Sequence, residues 1–549
     1  MADADSAGVA YWRVRAEWAL SRVAALTVEN AELAVQGVEL SQRVAELTEQ
    51  VATLSGVLFG ASSEKRTGAR AQDGHDSEGG EADAAGTGEE GSRGPVVPKR
   101  GQRTGTAGPG RRDYSHLETE TRVIELGPDQ RCCAGCGTAY ISCGFEDSEQ
   151  LDWQIKVTRV IWRRLRYQRA CSCPGPATVC APPAPKVVPK GLYTAPFLAR
   201  TLYHKYVLGL PVHRIIAMLE AEGASVAGGS LTGALKDVAQ LVRPLSAAIA
   251  ARLRTAGHVH ADETRWQVFE QTEGKDSNRW WLWTFLSRDV SVFVIDPSRG
   301  ARAAATALGI DAKAAALEAD RRLLISSDFY GVYQSLAAIE GVDPLYCWAH
   351  IRRYFLRAQA AHPTVLQEWA DGWTTRISVL YRAHRALLAT EPGTGEHDTA
   401  LDRFHRAFDD LDARRIQQDA LAQTMHPAAA KVLATLNREW TGLARHRETP
   451  FLPLDNNAAE RALRTPVIGR KNFYGSGATW AATLAADTWT ITTTATQNDL
   501  EPLSLLTGYL HACARSGGKA PKDLDPFLPW TPAGRRRRPQ GQGHPDPDP

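Results

Sequence analysis

The sequence predicts a multidomain α/β protein: a large mixed α/β domain with an all-helical insertion, preceded by three smaller modules. Three observations predict this fold class. Strand-like and helical segments alternate between residues 256 and 510, residues 360–450 carry an amphipathic helical pattern, and residues 1–255 fall into four stretches of different composition. The predicted segments are 1–60, 61–112, 113–188, 189–255, 256–510 and 511–549.

Bulk composition excludes several classes of protein. A chain of 549 residues can form several domains with ample core, and its net charge of +2 does not by itself indicate nucleic-acid binding. No apolar run reaches the ~18 residues that span a bilayer, and residues 1–10 lack the basic and apolar regions of a signal peptide. Nine cysteines in this length are not typical of a secreted disulfide framework. We therefore expect a cytoplasmic protein with no membrane partner.

Residues 1–60 carry a heptad repeat. Leucine fills the d positions, while the a positions hold valine, one asparagine and one glycine: Leu26, Leu33, Leu40, Leu47 and Leu54 at d, and Val23, Asn30, Gly37, Val44 and Val51 at a. This pattern favours a parallel two-stranded coiled coil and therefore predicts a homodimer. The alternative is a helix that packs on its own chain.

Residues 61–112 are rich in glycine, serine and acidic residues, end in a basic stretch and have no apolar period. This composition is typical of a disordered linker. Its basic end and the arginine run at 535–538 are candidates for non-specific phosphate contacts, although a solvated segment is the simpler interpretation.

Cysteines cluster in residues 113–188. Cys133 and Cys136 form a CxxC pair, and Cys171 and Cys173 follow a strand-rich stretch, 151–169. Paired thiolates of this kind predict a structural Zn²⁺ site in a small two-stranded ribbon. The second pair is CxC rather than CxxC, so other cysteines remain candidate ligands: Cys132, Cys143 and Cys180. The alternative is reduced, buried cysteine that acts as a small apolar residue.

Residues 189–255 have a helical period that two turns interrupt. One helix is predicted on each side of residues 209–211, and a third helix, capped by Ser230, follows a turn at residues 228–229. This order fits a helix-turn-helix, whose main exposed cation for DNA binding would be Lys236. A helical spacer is the alternative, because helix pairs are common supersecondary units.

Two predicted strands of the α/β domain carry carboxylates. Asp262 and Glu263 lie within strand 257–269, and Asp328 ends an apolar strand. Neighbouring residues of a strand face opposite sides, so Asp262 and Glu263 must point away from each other. Taken alone, each aspartate also fits an ordinary residue that caps a turn.

A third candidate carboxylate, Glu460, lies in a short predicted helix. Asp455 is predicted to cap this helix and Pro466 to end it. The helix would carry Asn456, Glu460 and Arg464 on one face. Four cations surround the acid: Arg461, Arg464, Arg470 and Lys471. A salt bridge and a solvated basic face are the ordinary interpretations; a metal-binding acid beside a phosphate-binding surface is the alternative.

The order of these elements predicts the topology. Strands at 279–286 and 290–295 and an alanine-rich helix, about 301–319, lie between Asp262 and Asp328. Three strands, a helix and a fourth strand, with acids on the first and fourth, are the order of a ribonuclease H-like domain, whose third acid usually comes from a later helix. Three carboxylates within ~4 Å would repel by ~4 kcal/mol per pair at an effective dielectric near ~20, and Mg²⁺ or Mn²⁺ would remove that cost.

Several long motifs resemble the DDE transposases of the insertion sequence 66 family. The similarity runs from about residue 26 to about residue 530 and is most specific at 454–478 and around the DET sequence. The matching segments are LFGASSEKR (58–66), LARTLYHKYVLGLPVHRI (198–215), VHADETRWQV (259–268), ISSDFYGVYQSL (325–336), YCWAHIRRYF (346–355) and LDNNAAERALRTPVIGRKNFYGSGA (454–478).

The resemblance implies a set of functional residues. Asp262, Asp328 and Glu460 would be the catalytic acids and would hold two Mg²⁺ (or Mn²⁺) ions, ~3.5–4 Å apart, that bridge the scissile phosphate. The cations near the third acid would bind DNA phosphates. The family also has a zinc-binding module at the position of the cysteine cluster. A further family motif matches three residues after the fourth strand, for which helix-surface charge is the alternative: His350, Arg352 and Arg353.

The function that this resemblance implies is DNA transposition, by metal-dependent strand cleavage and strand transfer of an insertion sequence. The partners would be double-stranded DNA (element ends and target), a second copy of the chain and accessory proteins that the element encodes, at the nucleoid. One alternative is a ribonuclease H-like nuclease or resolvase, which would not need the coiled coil, zinc module and helix-turn-helix together. The other is a catalytically inactive, transposase-derived DNA-binding protein, against which the three intact acids argue.

Overall fold

The computed structural model describes residues 119, 121, 123, 135–140, 150, 156–168, 170, 176, 178–271, 277–318 and 321–535. The chain forms two compact units, residues 1–144 and 145–549, and the elements described below belong to the second. Several predictions lie outside the described residues: the coiled coil (1–60), the linker (61–112), three proposed zinc ligands (Cys133, Cys171, Cys173) and the arginines at 536–538.

The described strands form two sheets. Their bounds are β1 (Arg166–Gln168), β2 (Thr178–Cys180), β3 (His258–Gln267), β4 (Arg279–Leu286), β5 (Ser291–Asp296), β6 (Leu323–Ser327) and β7 (Val342–Tyr346). β1 and β2 form an antiparallel ribbon, and the other strands form a mixed sheet in the order β5-β4-β3-β6-β7. β3, β4 and β5 pair antiparallel, whereas β6 pairs parallel with both β3 and β7.

Helices make up most of the remaining described chain. They are α1 (Ala195–Leu202), α2 (Val212–Ala221), α3 (Gly228–Leu253), α4 (Ala301–Leu308), α5 (Gly331–Leu336), α6 (Trp348–Ala361), α7 (Pro363–Leu388), α8 (Gly395–Asp419), α9 (Pro427–Arg438), α10 (Trp440–Ala444), α11 (Asn457–Ala462), α12 (Arg464–Phe473), α13 (Thr479–Gln497), α14 (Pro502–Arg515) and α15 (Pro532–Arg535). A π-helical turn, Tyr203–Val207, continues α1. Short 3₁₀ turns occur at Ala422–Thr424, Arg445–Arg447 and Asp525–Phe527. Within the described ranges, no helix combines the length and the apolar character needed to cross a bilayer.

One apolar core joins the mixed sheet to helices that precede it in the sequence and to helices that follow it. Trp489 of α13 packs edge-to-face against Trp266 of β3, with ring centroids 5.3 Å apart, and against Tyr206, at 5.8 Å. Its indole Nε1 also donates to the Tyr206 carbonyl (2.8 Å). Leu198 of α1 and Val242 of α3 belong to the same core. The helices of residues 189–255 are therefore integrated with the sheet.

Threonines of α13 pair with the backbone of the edge strand β5. Thr490 Oγ1 accepts from the Phe293 amide (2.9 Å), and Thr494 Oγ1 accepts from the Ser291 amide (3.1 Å). Thr494 Oγ1 also lies 3.1 Å from the Ser291 carbonyl, to which it can donate. An edge strand otherwise presents a row of unpaired polar groups. Here a buried helix satisfies them.

The chain from 363 to 444 is helical, as its amphipathic pattern predicts. Helices α7–α10 pack with α6 around a second apolar core. At its centre, the Phe355 and Trp373 rings stack with centroids 5.0 Å apart, and Phe404 lies edge-to-face on Phe408 at 5.1 Å. The insertion therefore has its own packed interior.

Two helix predictions were wrong. The alanine-rich helix ends at Leu308 rather than near residue 319, because Gly309 adopts a left-handed conformation (φ 66°) that ends the helix. Ser230 does not cap α3, which begins at Gly228. Its hydroxyl lies in the first turn instead, where it accepts from the Tyr193 hydroxyl (3.2 Å).

The four strands predicted in the α/β domain are confirmed, but β7 was not predicted. β7 is five residues long and contains Pro344, which weakens a strand pattern. It lies at the edge of the sheet, the position where proline is tolerated. β1 and β2 lie within residues 113–188, and Cys180 ends β2; the zinc-binding module there stays a prediction. Cys136 is exposed, and its Sγ lies 3.4 Å from Thr138 Oγ1.

Asp487 of α13 gives a test of the core. Burial raises its pKa to about 6, against a hydrogen bond from Ser246 and the charge of Arg243, which lower it. The folded state therefore binds the proton more tightly than the unfolded state does. The free energy of unfolding falls as the pH rises from about 4, the ordinary pKa, through about 6, the folded pKa. Asp487→Asn should therefore raise the free energy of unfolding by about 1–2 kcal/mol more at pH 8 than at pH 4.5, as measured by urea denaturation.

The matched control is Asp237→Asn, which changes an exposed aspartate of α3. Its effect should be within about 0.5 kcal/mol at both pH values. An Asp487→Asn effect that is equal at pH 8 and pH 4.5 would show that the carboxyl ionises without cost in the folded protein.

Candidate carboxylate site

The parallel pairing of β3 with β6 brings two of the predicted acids together. The register aligns His260 with Ser326, and each acid, Asp262 and Asp328, lies two residues beyond its member of that pair. Neighbouring strands are ~4.8 Å apart. The two acids therefore lie side by side, just past the point where the pairing of β3 with β6 ends.

Glu460 approaches this edge because Asn456 anchors its helix to β3. Asn456 Nδ2 donates to the Ala261 carbonyl (2.7 Å), and Oδ1 lies 3.1 Å from His260 Nδ1. The Asn456 residue is 1 % exposed. Since Ala261 directly precedes Asp262, these hydrogen bonds fix the start of α11 beside the first acid.

The other acids act electrostatically on Asp262. Burial, and then the charges of Glu263, Asp328 and Glu460, together raise the pKa of Asp262 to about 7, while the hydrogen bond from the Glu263 amide opposes the shift. That hydrogen bond is 2.8 Å long, and the Tyr330 amide similarly donates to Asp328 Oδ1 (2.9 Å). The site is thus negatively charged and rich in oxygen ligands.

Two basic side chains of α6, His350 and Arg353, face the third acid. Glu460 Oε1 lies 3.7 Å from His350 Nε2 and 3.8 Å from Arg353 NH2. Burial and then the charge of Arg353 lower the pKa of His350, whereas the charges of Asp328 and Glu460 raise it. His350 and Arg353 of the YCWAHIRRYF motif therefore lie next to Glu460. In the sequence, the match of this motif after the fourth strand had indicated both residues.

Glu263 is a structural acid. Its side chain is 2 % exposed; Arg299 Nε and NH2 donate to Oε1 (3.1 and 2.7 Å), and the Tyr333 hydroxyl donates to Oε2 (2.7 Å). The Arg299 guanidinium lies between the rings of Trp281 and Tyr330, 4.5 and 3.7 Å from their centroids. Strand alternation correctly separated Glu263 from Asp262, but no sequence signal identified Arg299 or Tyr333.

The segment after residue 454 differs from the prediction in two respects. Asn456, not Asp455, occupies the cap position of α11, although Asp455 Oδ1 accepts from the Asn457 amide (3.1 Å). Pro466 does not end the helical segment, because α12 begins at Arg464 and Pro466 lies in its first turn, where the missing N–H leaves no hydrogen bond unmade. The predicted continuous helix face is therefore divided between two helices.

Most of the cations predicted to bind DNA are exposed: Arg461, Arg464, Lys471 and, on α3, Lys236. Arg470 is half-buried. Its NH1 donates to Thr264 Oγ1 (3.1 Å) and to the Arg265 carbonyl, and its pKa is lowered by burial and then by the charge of Arg265. Arg470 thus has a structural role at β3 in addition to its charge.

Among the described residues, no three His, Cys, Asp or Glu side chains lie close enough together to ligate one metal ion. The charges of Asp328 and Glu460 nevertheless act on Asp262, so the site attracts a cation. Carboxylate oxygens are the ligands that Mg²⁺ and Mn²⁺ prefer. The chemistry of the donor set therefore fits a hard divalent cation.

Carboxylates and cations meet at one sheet edge of this mixed α/β domain, and the sequence of the domain matches a known family. Residues 190–484, more than half of the chain, match the model of the Transposase IS66 family. The chain belongs to this family, which confirms the predicted resemblance.

Uncharacterized proteins of Sinorhizobium fredii (strain NBRC 101917 / NGR234) are similar over most of their length. The protein y4jD is 25% identical over 428 residues, which cover 76% of this chain and 80% of the relative. For y4qI the identity is 26% over 436 residues (76% and 76%), and for y4hP it is 23% over 441 residues (75% and 75%).

The anchoring role of Asn456 can be tested by Asn456→Ala. The substitution leaves the Ala261 carbonyl and His260 Nδ1 unpaired in a buried environment, and it should lower the free energy of unfolding by about 2–4 kcal/mol, measured by urea denaturation. Asn457→Ala, at the next and half-buried position, is the control and should cost less than about 0.5 kcal/mol. Equal effects of the two variants would contradict the anchor.

Proposed function

We propose that this protein is a DNA transposase that cuts and joins DNA strands, with Asp262, Asp328 and Glu460 as its catalytic carboxylates. The observation that carries the proposal is the approach of these three distant acids to one sheet edge, in a chain of the Transposase IS66 family. The domain would be ribonuclease H-like, since its sheet has three antiparallel strands followed by parallel ones. No covalent protein–DNA intermediate is required for such a reaction.

Each acid has a distinct part in this proposal. Asp262, with a pKa raised to about 7 mainly by burial, is poised to exchange a proton near neutral pH when no cation is present. Asp328 and Glu460 supply further carboxylate oxygens. Together the three would hold Mg²⁺ or Mn²⁺, two ions per site. When bound, such ions lower the pKa of an attacking water or 3′-hydroxyl and stabilise the leaving oxygen.

The surrounding cations would hold the DNA. Exposed arginine and lysine side chains make most phosphate contacts in protein–DNA complexes, and α11 and α12 carry several of them beside the third acid: Arg461, Arg464 and Lys471, with Arg470 half-buried. His350 and Arg353 are near enough to Glu460 to orient it. Lys236 on α3 would make a further phosphate contact, and the cysteine cluster would bind a structural Zn²⁺. We also propose that the coiled coil of residues 1–60 brings two copies together at the nucleoid.

Asp328→Ala tests the reaction. The substrate is linear DNA that carries the sequences flanking the gene, incubated with the full chain and Mg²⁺. The variant should lose cleavage and joining by about 10²–10³-fold or more while DNA binding stays nearly intact, because phosphate contacts are made elsewhere. Asp237→Ala, which removes an exposed carboxylate of α3, should keep full activity.

The outcomes separate the candidate functions. Joining that persists in Asp328→Ala would remove this residue from the site. Cleavage by the wild type without joining would favour a nuclease or resolvase, and DNA binding with neither reaction would favour an inactive, transposase-derived DNA-binding protein.

Cation binding can be tested without activity. Because the acids repel one another, Mg²⁺ should stabilise the folded wild type by about 1–3 kcal/mol at ~10–100 times its dissociation constant, seen as a higher thermal midpoint. The Asp262→Asn variant should lose most of this response, and Asp237→Asn should keep it. A response to Mg²⁺ that is the same in all three proteins would place the bound ion elsewhere.

A further inference from the structure

A cleft of about 560 Å³ lies along β3 from Glu263 to Gln267, and Arg470 and Tyr474 also line it. It exists because β3 continues beyond the end of β6: pairing with β6 reaches only His260, whereas β3 runs to Gln267. On the same side of β3, the next backbone partner is Ser476, whose amide donates to the Gln267 carbonyl (2.8 Å). The cleft opens in the gap between them, and its volume falls within the ~300–1,000 Å³ of small-molecule sites.

Tyr474 stands at this cleft as an exposed aromatic ring on a constrained backbone. It is 70% exposed and has a left-handed backbone (φ 64°), which is unfavourable for a bulky residue. The segment is held there because Ser476 bonds to β3 through its backbone and accepts from Trp266 Nε1 (3.1 Å). A Cβ at Gly475 would lie 2.3 Å from the Gln267 carbonyl, so the backbone here sits tightly against β3.

Three arginines, Arg265, Arg299 and Arg470, line part of the cleft. Arg265 and Arg470 line it, and within the described part of the chain neither has a carboxylate within ion-pairing distance. Arg299 also lines it, but Glu263 neutralises that charge. Two adjacent, unneutralised guanidinium groups favour a bound anion, and guanidinium groups suit phosphate oxygens in particular.

We propose that this cleft binds one unpaired nucleotide of a DNA strand, with its base stacked on Tyr474 and its phosphate held by Arg265 and Arg470. The inference rests on the proposed function for the source of the strand. An aromatic side chain can stack on a base only where the base has left the duplex stack, and this stacking tolerates any base. The cleft begins at Glu263, one residue after Asp262 on β3, and includes Arg299, which binds Glu263. The nucleotide would therefore lie across the strand from the Asp262 side chain, because neighbouring residues of a strand face opposite sides.

The test compares two labelled DNA probes of arbitrary sequence by fluorescence anisotropy: a 20-bp duplex with a three-nucleotide 3′ overhang and the blunt duplex. The wild-type full chain should prefer the overhang. Tyr474→Asn should weaken overhang binding by about tenfold and leave blunt binding unchanged. Asparagine is chosen because it tolerates the left-handed backbone, so the variant should fold. Tyr474→Trp should retain the preference.

Arg265→Ala should also weaken overhang binding and lower its salt dependence by about one counterion. The control is Phe451→Ala, which removes an equally exposed ring (68%) outside the cleft, and should leave the preference intact. An unchanged preference in Tyr474→Asn would overturn the inference. Displacement of the overhang probe by free dTMP at micromolar concentration would also overturn it, in favour of a mononucleotide site.

The inference and the proposed function fail separately. Asp328→Ala should keep the Tyr474-dependent preference even though it cannot join strands. If the wild type does not join DNA but the preference is present, the cleft binds unpaired nucleotides without the proposed reaction. If the wild type joins DNA but does not prefer the overhang probe, the proposed reaction is supported and the proposed nucleotide site is wrong.

Discussion

The parallel pairing of β3 with β6 stops two residues before Asp262, and the site depends on where it stops. Up to His260 the two strands are locked in register, which sets Asp262 and Asp328 side by side. Beyond that point β3 has an open edge whose polar groups must find side-chain partners. The Asp262 carboxylate accepts from the Glu263 amide, and Arg470 donates to the Arg265 carbonyl. The end of the β3–β6 pairing thus positions both Asp262 and Arg470.

The helical insertion is compatible with this arrangement because its two ends meet. The Trp348 amide at the start of α6 donates to the Leu454 carbonyl just ahead of α11 (3.0 Å). Immediately after Leu454, the Asn456 side chain bonds to β3. The insertion leaves and rejoins the domain at one place, so the approach of Glu460 to the other acids is set by local hydrogen bonds rather than by the size of the insertion.

The sequence predicted the parts of this structure that local patterns encode. Apolar runs located four strands, and the amphipathic period located α7 to α9. Motif resemblance pointed to three acids, of which Asp262 and Asp328 lie on adjacent strands; their catalytic role stays a prediction. The missed features depend on tertiary context. Nothing local marks Arg299 as the partner of Glu263, β7 as a strand despite Pro344, or Asn456 as a buried anchor rather than one polar residue among several. The coiled coil of residues 1–60 and the linker of residues 61–112 lie outside the described residues and stay predictions.

The threonines of α13 have a consequence for how copies of this protein can associate. Because Thr490 and Thr494 already occupy the amides of Phe293 and Ser291, an incoming extended peptide would find those donors taken along the outer border of β5. Enlarging the sheet by one strand there would require α13, with Trp489 at its centre, to leave the core. Edge-to-edge growth of the sheet into an aggregate is therefore blocked at β5 by two hydroxyl groups.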